Sequence, residues 1–119
     1  MELEVRDIGD VAVIDLSGKL TRGDGDDLLR ATVDRLLVAG RRRLLINLAQ
    51  VPYMDSLGIG ELMSTRKKAA VAGGTVKLLN PHKRVYDVLQ LVKIASVFET
   101  YQDEAVALAS FGEDPVRGC

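Results

Sequence analysis

Tyr53-Met54-Asp55-Ser56-Leu57-Gly58-Ile59-Gly60 sets a carboxylate, a hydroxyl and two glycines at a point where an apolar run hands over to a helical pattern. Two glycines in the first turn of a helix cost about 1 kcal/mol each against alanine. One reading offsets that loss by packing: a neighbouring strand leaves no room for a side chain, and Asp55 or Ser56 caps the helix. The other keeps the backbone around Ser56 open, so that its hydroxyl is reachable by a partner or a kinase. Hydrolytic chemistry is weaker. Ser56-Leu57-Gly58 carries half of a Gly-x-Ser-x-Gly elbow, but Met54 stands where the first glycine belongs. The only histidine, His82, starts a different helix beside Lys83 and Arg84. The Asp24, Asp26 and Asp27 cluster invites calcium, yet the EF-hand positions for Gly and Glu fall on Leu29 and Arg35. Gly58-Ile59-Gly60-Glu61-Leu62-Met63 opens like a dinucleotide fingerprint and lacks its third glycine, and no Walker sequence exists. One His and the single Cys119 cannot form a tetrahedral zinc cage or an internal disulfide. No metal and no cofactor is expected.

The elements that hold these residues follow from periodicity. Leu3–Ile8 and Val11–Leu16 alternate around Gly9-Asp10 and read as a strand hairpin. After the loop Gly23-Asp24-Gly25-Asp26-Asp27, a helix begins near Asp26, with Leu29, Val33, Leu36 and Leu37 on one face, and ends at Gly40. Leu44–Leu48 is a nearly unbroken apolar run, the pattern of a strand covered on both faces. Strand, helix, strand predicts a right-handed crossover. A second helix spans Ser56–Ala72, with Ile59, Leu62, Met63, Arg66 and Ala70 toward the sheet. The step of about 100° per residue sends Leu57, Gly60, Glu61, Ser64 and Lys68 to the opposite face. Thr75–Leu79 reads as a further strand, and Asn80-Pro81 as the cap and first position of another helix with Val85, Val88, Leu89 and Val92 buried. Ser96–Thr100 and Asp103–Ser110 give a last strand and helix.

The chain has 119 residues, 47% apolar and 28% charged, with 16 Lys and Arg against 17 Asp and Glu. That is one globular domain and not a disordered chain. The balanced charge disfavours phosphate-backbone binding, and the short runs Arg41-Arg42-Arg43 and Arg66-Lys67-Lys68 read as solvated element ends. The longest uncharged stretch, Leu44–Met54, is 11 residues, against roughly 20 for a membrane helix. The opening is neither a basic leader nor an apolar export segment, so a cytoplasmic protein is expected.

Taken with this element order, Asp55-Ser56 followed by Gly58 and Gly60 resembles the STAS-domain family of anti-sigma factor antagonists. Ser17-Gly18-Lys19-Leu20, similar to the family's Gly-x-Leu, extends the likeness, as do Gly73-Gly74 and the strand end Leu78-Leu79-Asn80. The resemblance implies a single α/β STAS-like domain over 1–111, a mixed, mostly parallel sheet of four to five strands with about four packed helices, and a flexible tail over 112–119. It implies partner switching: the unmodified chain binds an anti-sigma factor kinase of the GHKL ATPase type, and phosphorylation of Ser56 releases it. A PP2C-type phosphatase reverses the mark, and catalysis belongs to these partners. Asp55, Leu57, Gly58, Gly60, Glu61 and Ser64, with Gly23 and Asp24 of the earlier loop, are the expected partner-binding residues. Many family members carry a small residue after the phosphorylated serine, where this chain has Leu57. The rival readings are a non-catalytic STAS scaffold subunit of a signalling assembly and a small serine hydrolase.

Overall fold

In the computed structural model, which describes residues 1–93 and 96–112, the alternating N-terminal segments form β1 (Glu2–Ile8) and β2 (Val11–Ser17), paired antiparallel. The remaining elements are α1 (Asp26–Val38), β3 (Arg43–Gln50), α2 (Ser56–Val71), β4 (Thr75–Leu79), α3 (Lys83–Leu91), β5 (Thr100–Tyr101) and α4 (Glu104–Gly112). The sheet runs in the order β1-β2-β3-β4-β5, with β2 through β5 parallel. This is a mixed, mostly parallel sheet with four helices, as the resemblance implied, with five strands where four to five were expected. Residues 113–119, nearly all of the expected tail and including Cys119, lie outside the described residues.

Burial on both faces of the central strands explains their apolar runs. Ala12, Ile14 and Leu16 of β2, with Leu44, Ile46 and Leu48 of β3, meet Leu29 and Val33 of α1, Leu62 of α2 and Leu89 of α3. On the other face Val11, Val13, Leu45 and Leu79 pack on Ala107 and Phe111 of α4. That second face also takes Lys77, only 1% exposed. Its ammonium lies 3.0 Å from Ser110 Oγ and 3.0 Å from Glu99 Oε2, and 4.6 Å from the Phe111 ring centre. Arg6 adds a polar clasp between α4 and the first two strands by pairing with both Asp15 and Glu104.

Four expectations need correction. The last strand is Thr100–Tyr101 and overlaps the expected Ser96–Thr100 only at Thr100. α3 begins at Lys83 with His82 as its cap, not at Asn80-Pro81. Asn80 takes a left-handed φ of 48°, so the chain turns once more before the helix starts. Val92 caps the end of α3 and is exposed instead of completing its buried stripe. In α2 the inward face is Gly58, Glu61, Leu62, Thr65 and Ala69. Arg66 and Ala70 are exposed, and Ile59 and Met63 only half-buried. Small and polar residues hold this face because α2 packs beside α1 as well as on the sheet, and Glu61 is drawn inward by an ion pair with Arg30 at 3.1 Å.

Candidate functional site

Since β2 and β3 are parallel neighbours, the loops that follow them leave the same edge of the sheet. They stay together past the strand ends. Gly18 N donates to Gln50 O at 2.9 Å, Leu20 N to Tyr53 O at 3.1 Å, and Leu20 and Met54 form a parallel bridge. The segment after Leu20 is thereby laid along Asp55, the residue before Ser56. Leu20 and Met54 are buried and anchor both loops in the core.

Asp55 is the cap of α2. Its Oδ1 accepts from Gly58 N at 2.9 Å, and its Oδ2 accepts from Arg22 N at 3.1 Å. The carboxylate joins the helix start to the preceding loop, and these amides, Gly58 first and then Arg22, hold it below the usual carboxylate range. Ser56, the first residue of the helix, is exposed. Leu57 beside it is 45% exposed and Tyr53 is 53% exposed. Gly60 and Ser64 continue the exposed face, whereas Glu61, expected among them, is only 7% exposed. One carboxylate oxygen of Glu61 serves Arg30, and the other, like the buried Thr65 hydroxyl one turn on, has no hydrogen-bond partner among the described residues.

The two helix-start glycines have different reasons. A Cβ at Gly58 would sit 2.1 Å from Leu20 O, so the crossing of the two loops demands glycine there. Among the described residues nothing lies within 4 Å of the place a Cβ at Gly60 would take, and packing gives it no account. The Gly23-Asp24 segment forms a tight turn: Thr21 N donates to Asp24 O and Asp24 N to Thr21 O, each at 3.0 Å, with Arg22 and Gly23 at the tip. Gly23 has a φ of 74°, and its amide donates to Asp26 Oδ1 at 3.0 Å.

The three aspartates of this region therefore diverge. Asp24 meets the Met1 amino group at 3.1 Å, Asp26 serves Gly23, and Asp27 pairs with Arg30 at 2.8 Å. Among the described residues no group of three or more His, Cys, Asp or Glu side chains converges to hold a metal ion. His82 spends its Nδ1 accepting from Arg84 N at 3.3 Å. Sequence reasoning missed Arg22, whose placement depends on a contact across 33 positions; its only local signal is the Arg22-Gly23 pair, a turn-forming combination.

No helix of the described residues is long and apolar enough to cross a membrane. The profile of the STAS domain matches residues 2–107. A Thermotoga neapolitana protein named as an anti-sigma factor antagonist homologue is 28% identical over 75 residues, covering 63% of this chain and 66% of its own length, just under two thirds. A Thermotoga maritima crystal structure assigned as an anti-sigma factor antagonist superposes with a TM-score of 0.84 at 20% identity, over 91% of this chain and 92% of that one. The Bacillus cell fate determinant SpoIIAA in its phosphorylated form gives 0.74 at 20% identity, over 92% and 99% of the two chains. With the hairpin-led sheet, the crossed loops and a profile spanning nearly its whole length, the chain belongs to the STAS-domain family.

Proposed function

We propose that this chain is an anti-sigma factor antagonist that works by partner switching, with Ser56 as its phosphate acceptor. The unphosphorylated form binds an anti-sigma factor kinase of the GHKL ATPase type in the cytoplasm, a phosphate on Ser56 ends that binding, and a PP2C-type phosphatase restores it. The observation that carries this reading is the state of the residues around the hydroxyl. Ser56 is exposed at the first position of α2, and the neighbouring Asp55 carboxylate is occupied by two backbone amides. Asp55 thus shapes the loop and is not free to act as a base, so the phosphoryl-transfer machinery belongs to the partner. A phosphate adds about −1.5 to −2 charges on an exposed face where Leu57, Gly60 and Ser64 offer apolar and small contacts. An interface closed over that face is broken by repulsion and desolvation, while the helix N-terminus tolerates the anion and the domain stays folded.

Incubation with the cognate kinase and ATP is expected to add one phosphate, mapped to Ser56, and Ser56→Ala to abolish it while keeping kinase affinity. Phosphate on Ser17, Ser64 or Thr65 with Ser56 unmodified would sink the assignment.

A further inference from the structure

The tip of the loop beside Ser56 is more firmly held than an exposed turn needs to be. Arg22 and Gly23 sit between the reciprocal Thr21 and Asp24 hydrogen bonds. The Gly23 amide is tied to Asp26, the Arg22 amide to Asp55, and Asp24 to the Met1 amino group. Each backbone donor at the turn has a fixed acceptor, so the side chain of Arg22 projects from a preorganised base. That base is pinned to the residue immediately before Ser56. Arg6, Arg30, Arg41 and Arg43 are each held in an ion pair, whereas Arg22 is exposed and makes none among the described residues.

We propose that Arg22 is the intramolecular counter-ion of phosphorylated Ser56, its guanidinium swinging from the fixed Thr21–Asp24 turn to pair with the phosphate. A guanidinium suits this role because its planar fork donates two parallel hydrogen bonds to phosphate oxygens. The pairing gives the modified state a conformation of its own: an Arg22 free in the unmodified chain is withdrawn from solvent and from any partner once the phosphate is present. This inference rests on Ser56 as the modified residue, and it deepens that reading by naming what receives the phosphate within the chain.

The test installs phosphoserine at position 56 during translation, so that no kinase is required. The phosphate is then titrated by phosphorus NMR in chains carrying Arg22, Arg22→Gln and Arg22→Lys. Pairing favours the dianion, so the second ionisation with Arg22 present is expected about half a pH unit below that of the Gln variant, with Lys between them. The gap should narrow as salt is raised. Identical titrations in all three chains would overturn the proposal. So would an unchanged titration combined with loss of kinase affinity in Arg22→Gln, which would assign Arg22 to the partner's contact surface. Failure of the kinase to modify Ser56 would strike the switching function and leave this measurement intact.

Discussion

Leu57 stands next to the Ser56 hydroxyl with nearly half its surface in water, and beyond it Gly60 leaves the helix face bare. A leucine buried in a partner's pocket contributes roughly 1.5–3 kcal/mol, about a ten- to hundredfold effect on affinity. Leu57→Asp is therefore expected to weaken kinase binding by that order with Ser56 unphosphorylated. Stability should change by less than about 0.5 kcal/mol, as for other surface substitutions, since a carboxylate in the first turn of a helix is favourable. Melting temperature and partner affinity measured on the same sample decide it. A large thermal loss would mean that Leu57 supports the core, and unchanged affinity would move the interface elsewhere. The exposure of Ser56 and Leu57, and a helix cap at Asp55 or Ser56, were legible because they depend on neighbours within one helical turn. The inward turn of Glu61 was not, since its partner Arg30 lies 31 positions away on another helix.

Within α2, the glycine pair separates two kinds of constraint. Gly58→Ala would push a methyl into the Leu20 carbonyl, and relief requires moving a backbone that is bridged to Met54. The expected loss is about 2 kcal/mol or more, at the large end for single substitutions. Gly60→Ala meets nothing and gains helix propensity, a stabilisation of roughly 0.5–1 kcal/mol. Opposite signs in denaturant melts of the two variants check the assignment, and a stable Gly58→Ala would show that the loops do not cross so closely. The packing and openness readings of this pair were both in the sequence, but dividing them between the glycines needed the path of the other loop. The same limit applies to the start of α3. Asn80-Pro81 is a good helix opening by local rules, and the extra turn at Asn80 follows from Asn80 N bonding to Tyr101 O on the neighbouring strand, a tertiary demand that overrides local preference.

Across the whole molecule, the face away from α1 to α3 is stitched by charge as much as by apolar contact. Burial alone would raise the Asp15 carboxyl, but the Arg6 guanidinium and the Asn47 amide outweigh it and hold the group below its ordinary value. A carboxyl whose folded pKa is depressed contributes stability that is complete above its unfolded value of about 3.9 and disappears as pH falls through the folded value. The stability difference between the native chain and Asp15→Asn is thus expected to be widest near neutrality and to shrink below about pH 4. Chemical melts across that range measure it, and a difference independent of pH would remove Asp15 from the clasp. The hairpin, the parallel core and the element order were legible from alternation and apolar runs. Lys77, buried in the middle of β4, announced itself only as a charge interrupting an apolar strand.

The strand order carries one more consequence. In open α/β sheets, small ligands settle at the point where the winding direction reverses and adjacent loops part to leave a crevice. Here the order ascends from β1 to β5 without reversal. No such parting arises along the rim that bears Ser56, and the loops after β2 and β3 are instead fastened to each other. A partner meeting this edge would find two joined loops presenting one continuous surface, not a crevice between them.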